Sequence, residues 1–408
     1  MPLKNFQGDN MKLAKLSLAA IVVAGLATSS FAADNLADAF KKGKVSGTLE
    51  TQYTSETFEG ASPDKTGFGV GGELNFVTDT LNGFGAGFTF QTGHTLGTEK
   101  SVVIENDGTV SNQVTNLSQA YLTYTMKNTT VKVGRMYLAT PLVASSGSRI
   151  MMDYFTGGVI INTDLPQTTL IVGAVKDWTN RYDGRTHLED MIYTGYVQNK
   201  SIAGLTLTGQ FTTINDVTAA GNDGRDDYYA EFAYKLPTAF PLTIGAQYVG
   251  TKYETATAAG DEGNLYGVMV GTQVAGVTLE AFYNNSADDR AVSGGWGHGN
   301  DPSYNDMWIT NGLGANVESY SFKASYAFSP ELSGSVWYGM FDLDNSNADW
   351  DSLDFDVVYK PGFLKGLSLN AKYSIIDADV PVTTLNTSTT ANNATNDSHM
   401  YFFAKYAF

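Results

Sequence analysis

The stretch that decides the fold ends the chain: Met400-Tyr401-Phe402-Phe403-Ala404-Lys405-Tyr406-Ala407-Phe408. Every second residue from Met400 to Phe408 is apolar or aromatic, and the one charge, Lys405, lies in the other set. Side chains of a β-strand alternate between its two faces. The stretch therefore predicts a strand with one apolar face.

The same period of two recurs along the chain, and none of the apolar faces carries a charge. The charges lie on the opposite faces, as at Glu73 and Glu231. Lipid explains this asymmetry, because a cation facing the bilayer midplane costs about 2–4 kcal/mol. The segments with this pattern are 68–76, 84–90, 205–211, 228–236, 242–248, 320–328, 367–375 and 400–408. Extended over the chain, the pattern predicts about 18 strands, one per roughly 21 residues, in an all-β fold.

The connections between these strands alternate in length, as in transmembrane antiparallel β-barrels with short periplasmic turns and long extracellular loops. An even strand number then places both chain ends in the periplasm. The short connections lie near 79–83, 127–129, 164–167, 199–203, 236–240, 275–276, 329–331 and 361–366. The long ones lie near 55–66, 94–116, 139–153, 178–188, 214–226, 254–262, 286–316, 344–350 and 378–397.

The N-terminus is typical of a secretory signal peptide. Lys12 and Lys15 precede an apolar stretch from Leu16 to Ala27, and Ser30 and Ala32 put small residues at a cleavage site. Such a stretch is too short to span a bilayer as a helix. We predict a signal peptide over 1–32, with 1–10 as an extension from an upstream start, and a single barrel domain over 33–408.

Charge and composition exclude several functions. The chain of 408 residues has a formal net charge of −17 and no cysteine. An acidic chain is a poor nucleic-acid binder, and disulfides, thiolate metal sites and cysteine nucleophiles are excluded. No cofactor is expected. The acidic loops are interpreted as a solvated surface, with divalent-cation binding as the alternative.

The most specific motif is Gly134-Arg135-Met136-Tyr137-Leu138-Ala139-Thr140-Pro141-Leu142-Val143, followed by a serine-rich loop and Arg149. This pattern resembles the OprD-type (Opr) family of outer-membrane porins. The stretch from Leu36 to Gly47 and the terminal aromatic strand are also similar to that family.

The resemblance implies an eighteen-stranded barrel whose third extracellular loop, here about 139–153, folds inward and constricts a pore for small solutes, often carboxylates or basic amino acids. Pro141 independently indicates that a strand ends there, because proline lacks a ladder N–H. Arg135 is too costly to face lipid, so we expect it in the lumen; the alternatives are that Arg135 only pairs with a loop carboxylate and that Arg149 is a plain surface residue. The constriction candidates are Arg135, Ser145, Ser146, Ser148, Arg149 and Asp153.

Five lysines are candidates for the pore wall by strand parity: Lys132, Lys235, Lys323, Lys372 and Lys405. Together they suggest a basic stripe, but each is equally well a solvated wall residue. The chain has few arginines for a strong basic ladder. A general, weakly selective pore is therefore as good an interpretation as one selective for carboxylates.

The terminal Phe408 and Tyr406 resemble the signal that the outer-membrane barrel assembly machinery recognises. We therefore expect an exported protein of the outer membrane that contacts lipid and lipopolysaccharide and passes ions and small solutes by passive diffusion; a homotrimer is one option. The alternatives are a structural or adhesive barrel, based on loops 94–116 and 286–316, and an outer-membrane hydrolase. The four histidines form no recognisable triad, so we do not expect an enzyme.

Overall fold

The computed structural model describes most of the chain after the predicted signal peptide. The described residues are 33–59, 64–96, 113–181, 185–219, 221, 223–238, 240–257, 259–286, 290–300, 302–310, 312–343, 349–378 and 396–408. The predicted signal peptide lies outside these ranges and stays a prediction. Within them, no helix is long and apolar enough to cross a membrane.

Eighteen strands form one antiparallel sheet, and a separate pair, β6 and β7, forms a small hairpin in a loop. The elements are α1 (Leu36–Lys41), β1 (Lys44–Glu59), β2 (Lys65–Val77), β3 (Phe84–Thr95), β4 (Gln113–Met126), β5 (Thr129–Met136), β6 (Ala139–Thr140), β7 (Val143–Ala144), β8 (Tyr154–Asn162), β9 (Thr168–Thr179), β10 (Arg185–Asn199), β11 (Leu205–Ile214), β12 (Arg225–Leu236), β13 (Leu242–Thr257), β14 (Gly260–Val274), β15 (Val277–Ser286), β16 (Val317–Ala327), β17 (Leu332–Leu343), β18 (Trp350–Tyr359), β19 (Leu367–Ala378) and β20 (Asn396–Ala407).

The sheet closes on itself because β1 pairs with both β2 and β20. Both ends of the barrel domain lie at the end of the barrel that carries the short turns, called the turn end below. There the backbones of Gly47 and Phe408 exchange two hydrogen bonds of 3.0 Å. Closure leaves the sheet without an exposed edge. The predicted barrel of eighteen strands is confirmed.

Helix α1 lies against the turn between β2 and β3. The side chain of Asn35 caps it by accepting a hydrogen bond from the backbone N–H of Asp38 at 3.0 Å. The backbone N–H of Asp79 donates to the carbonyl of Ala39, which ties the helix to the turn end of the barrel.

The outer face of the barrel is the apolar face of the alternating strands. Residues of this face, such as Leu74, Phe322, Tyr373 and Phe402, are exposed. The opposite face points into the barrel. Thr89, Gln91, Thr208, Gln210, Gln247, Ser321 and Ser374 are buried there.

Two of the predicted long loops are shorter than expected. Strand β13 continues to Thr257 and β14 begins at Gly260, so most of the connection predicted over 254–262 belongs to these strands. Likewise β1 extends to Glu59 and β2 begins at Lys65. The polar residues that suggested a loop belong to strand ends, where both faces carry polar residues.

Candidate functional site

The third loop, 137–153, folds into the barrel, as predicted. Its β6–β7 hairpin carries Leu142 and Val143, both fully buried. The backbone N–H of Leu142 donates to Oε1 of Gln210 on the inner face of β11, at 2.8 Å. Nε2 of Gln210 in turn donates to Oγ1 of Thr140 at 2.8 Å. The wall therefore holds the tip of the hairpin with one amide side chain.

Glycines on the inner wall make room for this loop. A Cβ on Gly93 would lie 2.9 Å from Met151, and one on Gly71 would lie 2.5 Å from Ile150. Ile150 and Met151 form a small buried cluster with Val114. Gly71 on β2 and Gly93 on β3 are thus part of the wall surface on which the loop packs.

The end of the loop is fixed by Asp153, which is 0% exposed. Oδ1 accepts a hydrogen bond from the backbone N–H of Ser146 at 2.7 Å. Oδ2 accepts from Nε1 of Trp178 on β9 and from the backbone N–H of His298, both at 2.9 Å. Asp153 therefore joins its own loop, the barrel wall and a second loop.

The three serines also make contacts within the loop. Ser145 and Leu138 bond across the hairpin, with the N–H of Ser145 donating to the carbonyl of Leu138 at 2.8 Å. The Oγ of Ser146 donates to the Oγ of Ser148 at 3.1 Å. Ser148 accepts from Nη2 of Arg181 at 2.9 Å, which joins the loop to the segment that follows β9.

Arg149 extends from the loop toward β20. Its guanidinium lies 4.9 Å from the ring centroid of Tyr401 on β20 and 5.7 Å from that of Trp308. Nη1 donates to the carbonyl of Ser148 at 3.1 Å. Arg149 thus lies between its own loop and β20, and its place at the constriction stays a prediction.

Arg135 lies apart from the other candidates. It shares the strand face of Val133, which is 54% exposed on the outside of the barrel. Nη1 of Arg135 donates to the carbonyl of Leu117 at 2.6 Å, and the guanidinium lies 5.0 Å from the ring of Tyr154. These contacts stabilise the charged guanidinium of Arg135 without placing it in the lumen. A role at the eyelet stays a prediction, which this position does not support.

The five lysines lie on inner-facing positions, but they do not form a continuous basic stripe. Lys372 lies 3.4 Å from Asp356, and Lys405 lies 3.2 Å from Glu50. Lys323 is the register partner of Glu280 on β15. Nζ of Lys132 lies 3.8 Å from the ring centroid of Tyr121. Lys235 is exposed near the turn end of the barrel.

The long connection predicted at 286–316, called loop 287–316 below, also lies inside the barrel over its described residues 290–300, 302–310 and 312–316, and this inward position was not predicted. Val143 and Trp296 form a parallel β-bridge, with the N–H of Ala144 donating to the carbonyl of Trp296 at 3.0 Å and the N–H of Trp296 donating to the carbonyl of Leu142 at 2.8 Å. A Cβ on Gly295 would lie 2.4 Å from the carbonyl oxygen of Leu142. The signal was the run Gly294-Gly295-Trp296-Gly297-His298-Gly299, whose glycines allow two backbones to approach.

Apolar residues of the two loops cover apolar parts of the inner wall. Loop residues Leu138, Val143 and Trp296 pack on one side of the barrel. Met307 and Ile309 pack on the other side, against Trp337 and aromatic residues of β17 to β20. The wall residues on the first side are Val159, Ile161, Ile171, Val175, Leu188, Ile192 and Ile214. Such burial fixes the loops by the hydrophobic effect as well as by hydrogen bonds.

The roles predicted for the chain end and for the acidic loops stay predictions. Tyr406 and Phe408 lie on the outer face at the turn end, with ring centroids 6.4 Å apart. No group of three or more histidine or acidic side chains that could hold a metal ion occurs among the described residues. The predicted loop 94–116 lies largely outside them.

A closed barrel whose strands turn their apolar faces outward, with two loops folded inside, defines an outer-membrane β-barrel protein. A family model described as the Campylobacter major outer membrane protein matches residues 11–240, more than half of the chain, so the chain belongs to that family. No curated protein matches the chain.

Solved structures share the fold. Acinetobacter baumannii OccAB1 has a TM-score of 0.77 at 16% identity, over 91% of this chain and 97% of that chain. Pseudomonas aeruginosa OccK9 (OpdG) has 0.76 at 17% identity, over 91% and 99%. Pseudomonas aeruginosa OpdK with vanillate has 0.76 at 16% identity, over 90% and 99%. These neighbours are OprD-type porins, which confirms the resemblance at the level of the fold.

Proposed function

We propose that this outer-membrane protein is a porin, a water-filled channel for passive diffusion of ions and small hydrophilic solutes. The observation that carries the proposal is the inward position of loops 137–153 and 287–316, which narrow an otherwise wide barrel. A barrel of this strand number is wide enough to hold an aqueous channel when loops do not close it. Homology to outer-membrane proteins supports the same conclusion.

The test is conductance in a planar bilayer. Purified protein is expected to produce stepwise increases in current, and a series of polyethylene glycols will define the size cutoff. Protein that is folded, as judged by its heat-dependent mobility on gels, but never conducts would favour the structural or adhesive barrel. Hydrolysis that disappears on His-to-Ala substitution would favour the enzyme.

The wall charges support weak rather than strong ion selectivity. Lys372 and Lys405 each lie beside a carboxylate, and Lys323 faces Glu280 across the strands. Paired charges of opposite sign contribute little net field to a pore. We therefore propose a general pore, in which carboxylates and amino acids are permeant solutes. OpdK was crystallised with vanillate, a carboxylate, which makes that class the first to test.

Arg149→Gln is expected to shift the reversal potential in a salt gradient toward cations, with the permeability ratio changing about twofold. The reason is that Arg149 lies inside the barrel, against Tyr401 and Trp308. Arg135→Gln is the matched control and should leave the reversal potential unchanged, because Arg135 shares the outer face with Val133. Equal shifts in both variants would contradict this assignment.

The proposal also includes partners. Outer-membrane lipid and lipopolysaccharide would contact the apolar outer face, and the assembly machinery would recognise the strand that ends on Phe408. A homotrimer is a proposal to be tested by the mass of the detergent-solubilised protein. Divalent-cation binding by the acidic loops is a further proposal, to be tested by calcium titration.

A further inference from the structure

We propose that Asp227 and Arg225 on β12 position loop 287–316 and, through it, loop 137–153, so that this pair sets the width of the channel. The proposal rests on the proposed porin function. Neither residue was a candidate from the sequence, because each lies at the start of an ordinary strand.

Asp227 is 1% exposed on the inner face and has four donors around its carboxylate. Oδ1 accepts from Oγ1 of Thr251 at 2.9 Å and from the hydroxyl of Ser293 in the loop. Oδ2 accepts from Oγ1 of Thr212 and from Nε of Arg225, both at 3.2 Å. Three of these donors belong to the wall, and one belongs to loop 287–316.

Ser293 carries the contact onward into the loop. Its backbone N–H donates to Oγ1 of Thr251 at 2.9 Å, and its hydroxyl accepts from the N–H of Gly295 at 3.2 Å. The loop is therefore fixed at its backbone as well as at one hydroxyl, immediately before the segment that bridges to the other loop.

Arg225 makes the second connection. Nη2 donates to the carbonyl of Gly295 at 3.1 Å, and the guanidinium lies 3.9 Å from the ring centroid of Trp296. Trp296 is the residue that forms the β-bridge to Val143 of loop 137–153. A single ion pair on the wall is thus connected through Trp296 to the constriction loop.

A buried carboxylate is stable only when hydrogen bonds compensate for the lost hydration. Asp227 accepts all four hydrogen bonds when loop 287–316 is in place. It loses the bond from the hydroxyl of Ser293 when the loop moves away. The barrel itself does not depend on this side chain, because backbone pairing holds β12 between β11 and β13. Substitution should therefore free the loops and leave the barrel closed.

The experiment compares Asp227→Ala and Arg225→Gln with Glu280→Gln in planar bilayers. Glu280→Gln also removes one inner carboxylate, but from a position opposite Lys323 on the wall. We expect the two β12 variants to show current noise at least about twofold above the unsubstituted protein, with transitions between levels, as expected of a loop with two arrangements. The control should be as quiet as the unsubstituted protein.

A second readout does not depend on conduction. The chain has no cysteine, and Val292, which precedes Ser293 in the loop, is 5% exposed, so Val292→Cys provides a single buried thiol. Its reaction with a water-soluble maleimide should be slow alone and about tenfold faster or more with Asp227→Ala, because loop release exposes it. Asp227→Asn, which keeps an acceptor oxygen, should lie between the two.

Quiet channels and slow labelling in Asp227→Ala would overturn the positioning role while leaving the porin function standing. Absence of conduction in the unsubstituted protein would overturn the porin function, and the labelling experiment would still report on the loop. Loss of the heat-dependent mobility in Asp227→Ala would show that the residue is needed for the barrel, which also contradicts the proposal.

Discussion

Asp153→Ala is expected to release loop 137–153 from its seat and convert a steady channel into one with large current fluctuations. The substitution leaves the donors of Ser146, Trp178 and His298 without their acceptor in a buried place. Losing a buried, charged hydrogen-bond partner of this kind costs about 3–5 kcal/mol. Because two of the three donors belong to the wall and to loop 287–316, both loops should be affected.

Single-channel recording and urea-dependent unfolding in lipid vesicles measure this effect. Asp153→Asn should be intermediate, since one amide oxygen can replace one carboxylate oxygen. Asp164→Ala is the control, because Asp164 accepts hydrogen bonds only in an exposed turn, from Asn128 and Asn162, and such changes are usually within about 0.5 kcal/mol. Steady current from Asp153→Ala would mean that the hydrophobic contacts alone hold the loop.

Phe322→Arg is expected to cost the barrel about 2–4 kcal/mol of folding free energy in a bilayer. Phe322 is 54% exposed on the outer face near the middle of β16, so the new charge would face hydrocarbon. The measurement is the urea midpoint of folding into vesicles, with the gel mobility of the heated and unheated protein as a second readout.

The adjacent residue provides a control at the same depth. Lys323 already places a cation on the inner face, 4.6 Å from the ring of Trp337, and Lys323→Arg keeps that charge. We expect its folding free energy to change by less than about 1 kcal/mol. If Phe322→Arg folded as stably as Lys323→Arg, the assignment of outer and inner faces would be wrong for this strand.

Alternation was readable only where the two faces of a strand meet different surroundings. In β3 and β16 one face meets lipid and the other carries mostly polar residues such as Thr89, Gln91 and Ser321, so the period of two is clear. Strands β8 to β10 were harder to read, because residues such as Val159 and Ile171 are apolar on the inner face too. An apolar inner face was itself a sign that something apolar covers it from inside.

The candidate site was partly predictable for the same reason. The stretch from Arg135 to Asp153 identified the loop that folds inward, and Pro141 marked a place where pairing must end. The function of Asp153 as a tie between wall and loops was not readable, because its partners Trp178 and His298 are 25 and 145 residues away in sequence. The expected lumen position of Arg135 is not supported by its contacts, because a charge near the end of a strand can also be satisfied by a carbonyl and a ring.

The terminal strand that ends on Phe408 illustrates what the sequence by itself determined: the class of fold, the strand number and which face meets lipid. These follow from local alternation, since each residue's face depends only on its place in its own strand. Only the tertiary structure decided how the interior is built. That Asp227 and Trp296 join a second loop to the first depends on contacts between residues far apart in sequence, and barrel closure brings them together.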